Sequence, residues 1–291
     1  MSENNQDYNR RDFIAAGGSL AATMSMMKAM EARAQDSEGK DAARRTSDDT
    51  PPVKMGLIGY GPRGREIARS LARLPSAPLV AVSDHYGAML RRAKREAPKA
   101  KGYENYADLL KDKDVEGVII ATAPHEHKAI VLEALKAGKH VYCEAPLAHT
   151  AEDARAIAKA AAATPSLNFQ SGLQFRSEPQ RHFMFPFMRA GAIGNPVHAR
   201  TQWHKKTDWR RVSPNAEREK TINWRINPEL SPGLAGEIGM HQADLVNHFL
   251  SLKPKAVSGF GSNVHWRERF PVPDTVNLVF EYENGFSLTQ E

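Results

Sequence analysis

Short apolar runs alternate with stretches of helical periodicity over the first half of the chain. Val53 to Ile58 is apolar, and Glu66, Ile67, Ala68, Leu71 and Ala72 then recur at helical spacing. Leu79 to Ser83 is the next run. Gly117 to Ala121 precedes a predicted helix from about His125 to Lys136, and His140 to Glu144 precedes another from Ala151 to Ala162. Strands that alternate with helices in this way predict an α/β fold with a parallel, doubly wound sheet. Beyond it the pattern changes. Leu167 to Gly172 reads as one more strand and Pro196 to His204 opens a second sheet. Pro254 to Trp266 and Thr275 to Tyr282 alternate as strands, with Glu283-Asn284-Gly285 as a hairpin turn. Residues 206–232 hold Pro214, Pro228 and Pro232 and no clear period, so they read as a long loop. The domains expected are 53–165 and 166–291, the second ending partway through a return strand and so expected to be truncated.

The chemistry begins where the first run ends. Gly59-Tyr60-Gly61-Pro62-Arg63-Gly64 joins a predicted strand to a predicted helix, the context that gives G-x-G-x-x-G its meaning. Gly59 permits the tight turn, Gly61 lets backbone approach a pyrophosphate, and Gly64 lets helix pack on strand. The helix amino terminus offers free N–H groups to the phosphates, and Arg63 adds positive field there. Asp84 follows the next strand, 20 residues past Gly64. A carboxylate there accepts hydrogen bonds from ribose hydroxyls and repels a 2′-phosphate, which favours NAD over NADP. Ligands on such a sheet bind at the carboxyl ends of strands, near Thr122–His127 and Glu144–Pro146. The basic stretch from Arg91 to Lys101 reads as a solvated helix face.

The amino terminus reads as an address. Arg10-Arg11 precedes a mildly apolar run from Ile14 to Met30, and Ala32-Arg33-Ala34 gives an A-x-A cleavage site. Paired arginines point to the twin-arginine route and an exported, periplasmic enzyme. Residues 35–52 are polar and end in Thr50-Pro51-Pro52, a linker. The 291 residues carry 40 Lys+Arg against 34 Asp+Glu, and Cys143 is the single cysteine, so an intrachain disulfide and a cysteine-built zinc site are excluded. No run is long enough to span a membrane once the signal is removed. No nucleic-acid module accompanies the basic charge.

Together the glycine turn, Ala121-Thr122-Ala123-Pro124-His125-Glu126-His127, Ala137-Gly138-Lys139-His140-Val141-Tyr142-Cys143-Glu144-Ala145-Pro146 and Gly233–Asp244 resemble the glucose–fructose oxidoreductase / inositol dehydrogenase / MocA family. The resemblance implies a Rossmann domain followed by an α+β domain whose open, mainly antiparallel sheet makes homo-oligomers. It implies NAD(P)-dependent chemistry on sugars or polyols. Carried onto this sequence, it places Gly59, Gly61, Arg63, Gly64, Asp84, Thr122, Pro124, His127, Glu144 and Pro146 around the cofactor and His241 at the active site. The family usually has Glu-Lys-Pro where this chain has Glu144-Ala145-Pro146; that lysine assists substrate positioning and proton transfer, and Ala145 can do neither. Glu237 stands where aspartate is common.

Glu237 and His241 lie four apart, and His241 and Asp244 three apart, so a helix puts them on adjoining faces. A carboxylate one turn away is expected to raise the histidine's pKa and orient its ring as a general base. His241 and Glu237 are the catalytic candidates; Arg176, Lys205, Lys206 and Asp244 are the substrate candidates, with Lys205 or Lys206 able to supply the missing lysine's charge. A metal held by Glu237, His241 and His248 is the minor alternative, and no metal is expected. Three classes stay open: an NAD-dependent sugar or polyol oxidoreductase, favoured here; a glycosidase that oxidises its substrate transiently with bound NAD; and a nucleotide-binding protein without catalysis.

Overall fold

The computed structural model describes residues 51–291 apart from 192, 214 and 267–270. The twin-arginine segment 1–34 and most of the linker lie outside the described residues. Six parallel strands form the first sheet: β1 (Met55–Ile58), β2 (Leu79–Ser83), β3 (Lys101–Tyr103), β4 (Gly117–Ile120), β5 (His140–Cys143) and β6 (Phe169–Ser171). Their spatial order is β3-β2-β1-β4-β5-β6. The order reverses between β1 and β4, the switch point at whose carboxyl ends sheets of this kind bind ligands. β6 belongs to this sheet, so the first domain runs past the boundary at 165 that the sequence pattern gives.

All four residues of β4 are buried, which is why it reads as an unbroken apolar run rather than an alternation. One face of the sheet packs Val118, Ile120 and Val141 against Ile130, Val131, Ala134 and Ile157. The other packs Leu57, Val82 and Ile119 against Tyr60, Ala68 and Leu71. The helices supplying these faces are α1 (Pro62–Leu71), α2 (Gly87–Glu96), α3 (Tyr106–Lys111), α4 (Pro124–Lys136) and α5 (Ala151–Ala162). On α2 the basic residues Arg91, Lys94 and Arg95 face solvent. Cys143 is buried within the core, and burial pushes its thiol pKa up.

The second sheet runs β7 (His198–Thr201), β10 (Ser287–Gln290), β9 (Thr275–Tyr282) and β8 (Pro254–Ser262). β10 pairs parallel with β7 and antiparallel with β9, and β9 pairs antiparallel with β8. Two further helices precede its hairpins, α6 (Pro179–Arg189) and α7 (Ala216–Ile222); α8 (Met240–Leu250) packs on one face through Val246, Tyr282, Phe286 and Leu288. The turn at Gly285 (φ +80°) closes the β9–β10 hairpin with Tyr282 N–H donating to the Phe286 carbonyl at 3.0 Å.

Two sequence expectations need correction. The strand from Pro254 ends at Ser262, short of Trp266, because the amides of Val264, His265 and Trp266 turn to the Asp274 carboxylate at 3.0, 2.9 and 2.7 Å. Residues 206–232 are not wholly loop. Asn215 caps α7 by accepting from Arg218 N–H at 3.0 Å, and Trp224–Ile226 forms a 3₁₀ turn behind it.

Candidate active site

The glycine turn is built by close approach. Gly59 has φ +93°, and a Cβ there would lie 2.8 Å from the Ala121 carbonyl oxygen. A Cβ on Gly64 would lie 2.0 Å from the carbonyl oxygen of Gly59, so α1 can start this near β1 only with hydrogen at that position. Gly61 differs, since a Cβ there would meet nothing within 4 Å. It borders open space beside the first turn of α1, which holds Pro62 and no acidic residue and has no side-chain cap. Its amide N–H groups are therefore available to an anion. The start of α4 is different: the Glu126 carboxylate already accepts from Ala123 N–H at 3.4 Å.

Asp84 stands on the rim of the same turn. Its carboxylate accepts from Tyr60 N–H and from Tyr86 N–H, each at 2.8 Å, which fixes its direction and leaves further lone pairs for ribose hydroxyls. The Thr122 hydroxyl, at the end of β4, is buried with no hydrogen-bond partner. An unfilled cradle at Gly61, an open helix start, an oriented carboxylate and an orphaned hydroxyl fit a dinucleotide.

Three residues expected to touch the cofactor are already enclosed by protein. Pro124 and Pro146 are buried, and His127 is 1% exposed. The His127 ring nitrogens face the carbonyl oxygens of Pro146 at 3.1 Å and Leu147 at 3.3 Å on one side and Thr122 at 3.2 Å on the other. His127 thus ties the loops after β4 and β5 together, and its expected place at the cofactor is corrected to a supporting one. Burial holds its pKa below the ordinary histidine value.

Arg63 also departs from expectation. Its Nε and Nη2 lie 3.1 and 3.0 Å from Glu144 Oε1, and Nη2 donates to Gln174 Oε1 at 3.2 Å. Its Nη1 also lies 3.2 Å from Glu66 Oε2, so the guanidinium is shared between a carboxylate of its own helix and one at the end of β5. Lys205 and Lys206 stand exposed on the irregular segment after β7, and it is Arg63 that pairs with Glu144.

His241 opens α8 directly after a π-helical turn, Ala235–Gly239. The turn's i→i+5 winding changes the face on which Glu237 lands, which the 3.6-residue reading did not allow for. Glu237 is 7% exposed and accepts from Arg225 Nε at 3.1 Å, while its Oε1 is buried without a partner. Burial raises its pKa, and Arg225 opposes the rise. Asp244 is held by Arg176 through two hydrogen bonds, one of them 2.9 Å from Nε to Oδ2. Neither carboxylate orients His241. Its Nδ1 is buried and has no hydrogen-bond partner, and its ring lies 5.3 Å from that of Phe175. The expected upward shift is reversed: burial lowers the histidine's pKa, Arg63 lowers it further, and Asp244 opposes them. Burial thus favours the neutral imidazole, the form able to accept a proton.

Sequence reasoning missed Gln174, Phe175, Trp224 and Arg225. Trp224 sits edge-on to His125 at 6.4 Å, and His125 edge-on to His149 at 6.1 Å; each imidazole has a buried Nδ1 without a hydrogen bond, that of His149 lying 3.9 Å from Asp153 Oδ2. The helix-start signature at Asn215 with Glu217 and Glu219 was the available signal for structure near Trp224. The minor metal alternative does not assemble: Glu237 goes to Arg225, and His248 stacks on Phe185 at 5.0 Å. Among the described residues no group of three or more His, Cys, Asp or Glu is placed to hold a metal ion, and no helix is long and apolar enough to cross a membrane.

Residues 53–171 match the oxidoreductase family with an NAD-binding Rossmann fold, and residues 187–291 match the GFO/IDH/MocA C-terminal domain. The chain is 30% identical over 241 residues to an inositol 2-dehydrogenase of Rubrobacter xylanophilus, covering 74% of this chain and 68% of that protein. It is 25% identical over 305 residues to a glycosyl hydrolase family 109 protein of Shewanella baltica, covering 96% of this chain and 65% of that one. Among solved structures, scyllo-inositol dehydrogenase of Lactobacillus casei with bound NAD(H) and scyllo-inositol superimposes with a TM-score of 0.70 at 22% identity, over 82% of this chain and 68% of that chain.

Proposed function

The chain belongs to the GFO/IDH/MocA oxidoreductase family, and from that premise we propose that it is an NAD-dependent dehydrogenase oxidising a secondary hydroxyl of a cyclic polyol or sugar. One observation carries the reading: a half-buried His241 packs on Phe175, whose neighbour Gln174 is bonded to Arg63 of a glycine turn shaped for a dinucleotide. NAD, when bound, supplies the hydride acceptor. Gly61 and the first turn of α1 hold its pyrophosphate, Asp84 holds the adenosine ribose, and Thr122 adds a hydroxyl at the rim. His241 takes the proton of the substrate hydroxyl as that carbon becomes a carbonyl. Trp203, stacked on Phe175 at 5.7 Å, and Trp224 give the cleft flat apolar surfaces suited to a sugar ring.

The test is NADH accumulation with a panel of inositols and free sugars, run beside His241→Ala. Wild type should accumulate NADH with at least one polyol, and the variant should lose turnover while binding NAD almost as well. Full residual activity in His241→Ala removes His241 from the mechanism.

The Shewanella baltica similarity supports a second reading, glycoside cleavage through transient oxidation, in which a leaving group is released without net NADH. Two further features belong to the proposal. Phe260 (85% exposed) and Val279 (49%) share the β8–β9 face turned away from α8, an apolar surface that suits association between copies of the chain. Arg10-Arg11 and Ala32-Arg33-Ala34 support export by the twin-arginine route; replacing both arginines with lysine should trap an epitope-tagged chain in the cytoplasm.

A further inference from the structure

Three consecutive residues after β6 each take hold of a different part of the site. Gln174 accepts from Arg63 at 3.2 Å, Phe175 lies 5.3 Å from the His241 ring, and Arg176 holds Asp244. These residues lie in a 3₁₀ turn, Gln174–Ser177, which therefore fastens the nucleotide turn to the start of α8. Phe175 is itself fixed, with Trp203 stacked on it and the Arg181 guanidinium 3.9 Å from its ring centre. Arg63 reaches into this arrangement from the second position of α1 and grips Glu144, whose side chain is 12% exposed.

We propose that Arg63 is a positioning residue of the reaction centre, setting a fixed positive charge between the nucleotide turn and His241 through its bonds to Glu144 and Gln174. The inference rests on the reading of His241 as the base. The charges that act on His241 are the Asp244 carboxylate and the Arg63 guanidinium, with opposite effects. Asp244, on its own helix, favours the imidazolium but is neutralised in part by Arg176. Glu237, in the preceding turn, is engaged by Arg225. Arg63 is paired with Glu144 and, less enclosed, with Glu66 at 3.2 Å, and its guanidinium disfavours a second positive charge on His241. The consequence is a base held below the ordinary histidine value, with a carboxylate and a glutamine fixed by the same guanidinium.

The decisive experiment is an NMR pH titration of the His241 ring in the ligand-free protein, in wild type, Arg63→Gln and Arg63→Lys. Arg63→Gln keeps N–H donors for Glu144 and Gln174 but removes the charge. Its His241 midpoint should rise, and the acid limb of kcat/KM should move with it while kcat/KM falls by about 10- to 100-fold. Arg63→Lys should titrate near wild type. If His241 titrates at the same pH in wild type and Arg63→Gln, the proposal is overturned, as it is if Arg63→Lys behaves like Arg63→Gln. A wild-type chain that neither binds NAD nor oxidises any polyol overturns the dehydrogenase reading instead, and the ligand-free titration still decides the role of Arg63.

Discussion

At the residue scale, Asp84 is the most exposed to test. Both of its oxygens already accept backbone N–H bonds from the glycine turn and the loop after β2, so its direction is set before any ligand arrives. Asp84→Ala should weaken NAD binding by about 10-fold or more, the loss of one or two charge-assisted bonds. It should also narrow the preference over NADP, because the charge that repels a 2′-phosphate is gone. Calorimetric titration of both dinucleotides checks this, and unchanged affinities for both would remove Asp84 from the site. Gly59, Gly64 and Asp84 were legible in the sequence because their roles are local to one strand–turn–helix unit. The partners of Arg63, Asp244 and Glu237 were not. Arg63 meets Glu144 across 81 positions of sequence and Arg176 meets Asp244 across 68, distances at which spacing rules carry no information.

At the scale of elements, the βα units of the first sheet were readable because strand and helix periods differ and each unit repeats the contrast. The Ala235–Gly239 turn was not, since a π turn carries no apolar period of its own, and the orientation expected of Glu237 failed with it. α7 escaped because its 7 residues are too few to show a stripe and prolines flank it on both sides. The glycine turn yields a paired prediction. Gly64→Ala places a methyl group 2.0 Å from a backbone oxygen, so it should cost stability heavily and lower the melting temperature by many degrees. Gly61→Ala meets nothing in the protein, so melting of the ligand-free chain should hardly change while NAD affinity falls. Equal effects of the two on stability would refute the separate roles assigned to them.

Across the whole molecule, burial leaves its mark on the histidines. His125, His127, His241 and His248 all have pKa values held below the ordinary one, with desolvation as the largest cause in each. A histidine depressed in the folded state is more readily protonated when unfolded. Its contribution to stability is therefore present above about pH 6.5 and is lost as pH falls through the folded value. Glu237, raised by burial, works the other way, because its protonation relieves a cost as pH falls. With four histidines against one carboxyl, the ligand-free protein should melt at progressively lower temperature from about pH 7 to about pH 5.5. A flat or rising melting temperature over that range would contradict the burial assigned to these rings. His127 should carry the largest share, being the most enclosed, and His127→Gln should flatten the slope while lowering stability at pH 7.

The whole-molecule account comes down to where a hydride goes. The most direct measurement is to incubate the protein with NAD and an inositol carrying deuterium at its carbinol carbons, then weigh the recovered cofactor. The dehydrogenase reading predicts that reduced cofactor accumulates with one deuterium added, in step with a ketone product, and that His241→Ala suppresses both. Recovery of unlabelled, oxidised NAD from a protein shown to bind it, with a glycoside cleaved under the same conditions, would contradict that reading and establish the hydrolytic one.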